Sequence, residues 1–177
     1  MGAGAKWGEA YPAGNPSLRP RWRIDGSAAG KLAPWEAGQA LKYLLDTNII
    51  SEVRKPKPHG GVLAWFMEFH LSGFAIPAIA LFELQMGVEQ IRFQDANKAA
   101  MFEYWAARVA AGTNVLAFDA AAGREAARLL AGKPSHLLLD GMIAAIAKVN
   151  GLTIATRNTR DFDGFEVPLT NPFLYKK

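Results

Sequence analysis

"YLLDTNIISEV", residues 43–53, carries the first decision about the fold. Three apolar residues run directly into Asp46, and Thr47 and Asn48 follow before an apolar, helix-like pattern resumes. A short run that is apolar throughout suits a strand buried on both faces, as in a parallel sheet. "NIISEVRK" (48–55) then reads as a short helix that Pro56 ends. A carboxylate at the end of a buried strand has an ordinary explanation, as the N-cap of the following helix. It has a second in open α/β sheets, where sites form beyond the carboxyl ends of strands. The choice turns on whether other acids converge on Asp46.

Downstream the alternation continues. "GGVLAWFMEFH" (60–70) reads as a helix and "GFAIP" (73–77) as a strand. "AIALFELQMGVEQI" (78–91) and "DANKAAMFEYWAARVAAG" (95–112) read as helices, the second with Asp95 as N-cap and Gly112 as its stop. "NVLAF" (114–118) is a strand, and Asp119 caps the helix "AAAGREAARLLAG" (120–132). "HLLLDGMIAAIAKVNG" (136–151) is a helix closed by Gly151, followed by the strands "LTIAT" (152–156) and "EVPLT" (166–170). Strands alternating with helices predict an α/β fold with a short central parallel sheet covered on both faces.

The chain has 177 residues, half of them apolar and a fifth charged, enough for one domain with a core and a tail. It has no cysteine, which excludes disulfides, thiolate metal sites and cysteine nucleophiles and permits a reducing cytoplasm. No apolar run is long enough to span a membrane, and the N-terminus lacks the apolar core of a secretory signal. The net charge is +4, but residues 1–42 carry six basic against three acidic residues and the remainder fourteen against thirteen. The body is nearly neutral, so nucleic-acid binding has to be argued from a site rather than from bulk charge. Residues 1–40 are rich in Gly, Ala and Pro without a sustained period and read as a disordered extension, with residues 41–177 as the folded domain. Trp7, Trp22 and Trp35 lie in that extension.

Three more acids sit where structure alone gives them little use. Glu83 projects from an apolar helical stripe, with Ile79 and Met86 one turn away on either side; a helix-edge acid reaching solvent is the plain alternative. Asp140 is the only formal charge between Ser135 and Ala147, in a helix too apolar to be peripheral; a late N-cap is its alternative. Asp161 follows the strand "LTIAT", where Asp is also an ordinary turn residue. No basic residue shares a helical face with Glu83 or Asp140. Several carboxylates without a built-in cation suggest that the cation comes from outside, and oxygen-only ligation suits Mg²⁺ or Mn²⁺. His59, His70 and His136 show no zinc spacing.

With these residues assembled, the chain resembles the PIN-domain nucleases, and within them the VapC-type and FitB-type toxins of bacterial toxin–antitoxin pairs. The resemblance rests on "YLLDTNIISEVRKPKP", "IPAIALFELQMGVEQI", "LLLDGMIAAIAKVNGLTIATRNTRDF" and "VPLTNPF", spread over residues 43–173. It implies a PIN-like three-layer sandwich and a metal-dependent endoribonuclease whose metal-site acids are Asp46, Glu83, Asp140 and Asp161. It suggests supporting roles for Thr47, Asn48 and Asn158. Asp119 stands where relatives often carry an acid, although capping explains it. Arg157 and Arg160 are candidates to hold a phosphate beside the site.

The resemblance further implies RNA cleavage leaving a 5′-phosphate and a 3′-hydroxyl, a homodimer, a cognate antitoxin that places a basic residue in the acidic site, and a cytoplasmic location. A DNA nuclease with the same site, or a silent nucleic-acid-binding module of the same fold, stand as alternatives. Residues 1–40 depart from the compact members of the family. Leu41 stands where an initiator Met is expected, so the extension reads as translated upstream sequence, with a basic arm through Arg19, Arg21 and Arg23 as its alternative.

Overall fold

The structure, a computed structural model, describes residues 41–69 and 73–176. The expectations placed on the first forty residues and on His70 lie outside it. Five strands form one wholly parallel sheet: β1 (Tyr43–Leu45), β2 (Phe74–Pro77), β3 (Asn114–Leu116), β4 (Thr153–Ala155) and β5 (Leu169–Thr170). Their spatial order is β3-β2-β1-β4-β5. Tyr43 lies beside Phe74 and Thr153, and Leu44 beside Ala75 and Ile154.

Successive strand residues face opposite ways, and this register sorts the core into two. Leu44, Ala75 and Ile154 pack on the side of α5 (Ala120–Leu130) and α6 (Leu138–Val149), with Ile143, Ile146, Phe162 and Phe165. Tyr43, Leu45, Phe74, Ile76 and Ala155 pack on the other side, against Ile49 and Ile50 of α1 (Thr47–Val53), Trp65 of α2 (Gly60–Glu68) and Ala80 of α3 (Ala78–Arg92). The last long helix, α4 (Ala96–Gly112), packs against α3 and adds Trp105 and Val109 to that core. The result is the expected helix–sheet–helix sandwich. Each fully buried large apolar side chain contributes roughly 1.5–3 kcal/mol.

Element ends differ from the sequence reading in ways that have local causes. Helix α1 stops at Val53, with Arg54 as its C-cap, before Pro56 is reached; the residue preceding a proline already disfavours helix. The segment from Ser135 enters as a turn of 3₁₀ helix, Ser135–Leu137, after Pro134, and α6 proper begins at Leu138. Gly151 adopts φ +65°, the left-handed conformation that ends α6. The aromatic residues of "AWFMEF" turn inward: Trp65 stacks on Phe74, and Trp65, Phe66 and Phe69 otherwise pack edge-on or tilted against one another and against Tyr43 and Phe74. Among the described residues no helix is long and apolar enough to cross a membrane.

Candidate functional site

In this strand order the chain reverses direction across the sheet between β1 and β4, and Asp46 and Thr156 stand immediately past the carboxyl ends of those two neighbours. That is the position where open α/β sheets leave a crevice. A cleft of about 300 Å³ opens there, lined by Asp46, Thr47, Asn48, Ser51, Glu83, Asp140 and Asn158.

Asp46 takes the N-cap position of α1 but makes no capping hydrogen bond with its side chain. Its Oδ2 instead accepts from the Thr156 hydroxyl at 2.6 Å and from Asn48 Nδ2. It is 6 % exposed, and burial raises its pKa against the opposing pull of the Thr156 hydroxyl. Glu83 reaches in from the second turn of α3, where Thr47 Oγ1 donates to its Oε2 at 2.5 Å. Its pKa is also raised, first by burial and then by the charge of Asp46. Asp140 sits in the first turn of α6; burial, followed by the charges of Asp46, Asp161 and Glu83, pushes its pKa up to about 6. Asp161 lies in the 3₁₀ turn Thr159–Phe162, where Asn158 Nδ2 donates to its Oδ2.

The fold thus brings Asp46, Glu83 and Asp161, from three other parts of the chain, within electrostatic reach of Asp140. Among the described residues no ion pair neutralises any of them. The donor set is all oxygen and anionic, the chemistry that hard divalent cations take. As the side chains stand, no three acidic or histidine groups among the described residues are set closely enough to hold an ion together. The set suits Mg²⁺ or Mn²⁺ by donor type and not by the present spacing of its side chains.

The supporting residues behave as one network. Asn48 Nδ2 also reaches Thr156 Oγ1 at 3.0 Å, and Asn48 Oδ1 accepts from the Arg157 amide at 3.1 Å. Thr156 Oγ1 accepts from the Asn158 amide at 2.9 Å. Thr156, fully buried, is the residue that sequence reading passed over as the end of a strand. The signal available was a polar residue where "LTIA" ceases to be apolar, directly before the "RN" of the motif. Glu52 was also missed: it is buried but bound to Lys55 Nζ at 2.5 Å and to the His59 amide at 3.0 Å, which makes it a brace for the loop after α1.

Arg157 and Arg160 are exposed, and the Arg157 guanidinium lies 5.2 Å from the Phe173 ring centre. Asp119 caps α5 through the Ala122 amide at 2.9 Å. His59 caps α2, accepting from the Gly61 amide, and His136 is exposed.

The PIN domain family model matches residues 43–166, most of the described chain. The chain belongs to the PIN-domain family, in its VapC/FitB-type branch. Toxin FitB of Neisseria gonorrhoeae is 34% identical over 137 residues, 73% of this chain and 97% of the relative. The VapC ribonuclease Y4jK of Sinorhizobium fredii is 33% identical over 141 residues, 73% of this chain and 96% of the relative. The crystal structure of FitAcB from Neisseria gonorrhoeae superposes with a TM-score of 0.64 at 32% identity, covering 75% of this chain and 99% of that one. The matched region of this PIN domain contains all four acids, Thr47, Asn48, Thr156 and Asn158.

Proposed function

We propose that this PIN domain is a metal-dependent endoribonuclease, the toxin of a toxin–antitoxin pair acting in a reducing cytoplasm. The observation that carries the reading is the convergence of Asp46, Glu83 and Asp140 on one open cleft, with the charge of Asp161 reaching Asp140, and with no ion-pair partner for any of them among the described residues. The kinship with a toxin and with a named ribonuclease supports it.

These four acids would hold Mg²⁺ or Mn²⁺, which neutralises phosphodiester charge and makes a water-derived nucleophile available near neutral pH. Thr47 fixes the Glu83 carboxylate through a 2.5 Å hydrogen bond. Asn48 and Thr156 fix Asp46, and Asn158 fixes Asp161. Holding these groups before substrate arrives removes reorganisation from the chemical step. Arg157 and Arg160, exposed and next in sequence to Thr156 and Asp161, would take a phosphate of the strand. The products are a 5′-phosphate and a 3′-hydroxyl.

An acidic cleft also invites a basic side chain, so the cognate antitoxin is expected to place an Arg or Lys near Asp46 and Glu83.

Matched RNA and DNA oligonucleotides, incubated with and without EDTA, test the reading. RNA cleavage that EDTA abolishes is expected, and Asp46→Asn should melt as a folded protein while losing about a hundredfold or more in rate. DNA cleavage alone would make the protein a DNA nuclease. Cleavage by folded Asp46→Asn at the wild-type rate would end the metal-nuclease reading.

A further inference from the structure

The segment "VPLTNPF" (167–173) carries part of the family resemblance, yet none of its residues lines the acidic cleft. Asn171 and Pro172 are a capping residue and a first-position proline, and they start a 3₁₀ turn, Pro172–Leu174. Asn171 Oδ1 accepts from the Phe173 amide at 3.0 Å. The turn sits on the start of α2: a side chain at Gly61 would come within 2.9 Å of the Pro172 carbonyl oxygen and 3.1 Å of that of Phe173. Phe173 is thereby fixed, with the His59 ring centre 5.1 Å from its own. The Arg157 guanidinium lies on the same ring at 5.2 Å, within the range of a cation–π contact.

Arg157 is tied to the site through its backbone. Its amide donates to Asn48 Oδ1 at 3.1 Å, and Asn48 Nδ2 donates in turn to Asp46. Its neighbours Thr156 and Asn158 hold Asp46 and Asp161. The side chain is exposed and makes no ion pair among the described residues. Its charge bears on Glu52, in the last turn of α1, while the charge that bears on Glu83 is that of Asp46. A free arginine side chain samples many rotamers. Stacked on a fixed ring, it is held in place with its in-plane N–H donors open to an anion.

We infer that Phe173 is a positioning residue for the substrate: it holds Arg157 over the C-terminal turn, where the guanidinium takes a phosphate flanking the scissile one. This rests on the nuclease reading above. The backbone brings Arg157 to the acids, and the ring decides on which side of them its charge lies. A strand cut at the acids then runs out over the C-terminal turn.

Steady-state cleavage of a short RNA by the full chain tests this. Arg157→Gln should raise KM about tenfold, the loss of one charge-assisted contact, with the loss falling on KM rather than kcat. Phe173→Leu should raise KM about threefold, the loss of an exposed cation–π contact, and should add nothing further in the Arg157→Gln chain. Phe173→Tyr should match wild type. Arg157→Lys keeps the charge but not the planar stack, and should resemble Phe173→Leu. Melting temperatures identify misfolded variants, and Arg157→Lys, at an exposed position, carries the test if Phe173→Leu unfolds.

A KM that neither Phe173→Leu nor Arg157→Lys changes overturns the positioning role, as does a Phe173→Leu effect that is undiminished in the Arg157→Gln chain. Arg157→Gln lowering kcat at unchanged KM also overturns it, because Arg157 would then serve the scissile phosphate. Each of these leaves the nuclease reading standing. If the wild type cleaves no RNA, that reading fails, and the anisotropy of fluorescent hexauridylate reads the same variants through Kd. Absence of binding there overturns the positioning role as well.

Discussion

At the scale of single residues, the burial of carboxylates, reinforced at Asp140 and Glu83 by neighbouring charge, is the feature most open to measurement. Asp140 has a pKa near 6 in the folded chain against an ordinary value of 3.8. The folded state therefore binds the proton more tightly than the unfolded state does. Its contribution to stability is full below about pH 4 and is lost as pH rises through 6. The raised values of Asp46 and Glu83 act in the same direction. In EDTA the protein should melt at a lower temperature at pH 7.5 than at pH 5. Asp140→Asn should narrow that difference, and a melting profile that keeps the full pH dependence in this variant would contradict the assignment. Thr156 makes the opposite kind of contribution. Thr156→Val preserves shape but strips Asp46 of a donor and the Asn158 amide of an acceptor, at about 1–3 kcal/mol. Chemical denaturation should register that loss, and cleavage should fall because Asp46 is no longer held.

Between elements, the decisive contact is α5 on α6. A methyl group at Gly141 would come within 2.4 Å of Leu130 Cδ2 and 2.6 Å of its Cγ. The helix that carries Asp140 is therefore seated by the absence of a side chain at the next position. Gly141→Ala should cost about 1–3 kcal/mol through overpacking and disturb the placement of Asp140. Leu130→Ala in the same chain should return part of the stability, a coupling that a double-mutant cycle would quantify. Additive losses in the two variants would mean that the helices accommodate the methyl group elsewhere. Much of this element-level order was readable in advance. Short apolar strand runs and helical patterns, Asp95, Asp119 and Gly151 all depend on neighbours within a few residues.

Considered as a whole molecule, the protein leaves large apolar side chains uncovered along α3 and α4. Phe82 and Met86 are about half exposed, Met101 nearly so, and Phe93 almost entirely. In "GGVLAWFMEF" the rings of Trp65, Phe66 and Phe69 serve the core, while Leu63 and Met67 are exposed. Patches of this kind on a small protein mark association surfaces. A homodimer through α3 and α4 is the expected state, and light scattering at micromolar concentration should return twice the monomer mass. Phe82→Asp combined with Phe93→Ser should reduce it to one. A monomeric wild type would discard the dimer.

What the sequence determined by itself was the kind of fold and the family. Alternating strand and helix periods are short-range signals, and so is the presence of acids at Asp46, Glu83, Asp140 and Asp161 where burial would penalise them. What only the tertiary structure decided was which groups meet. Thr156 lies 110 residues from Asp46 and reaches it because β1 and β4 pair in register across the crossover. The Arg54 stack on Phe102 and the orphaned Trp105 N–H depend on how α1 meets α4. Such contacts are set by strand order, helix packing and side-chain direction over long stretches of chain. A local pattern in the sequence carries no trace of them.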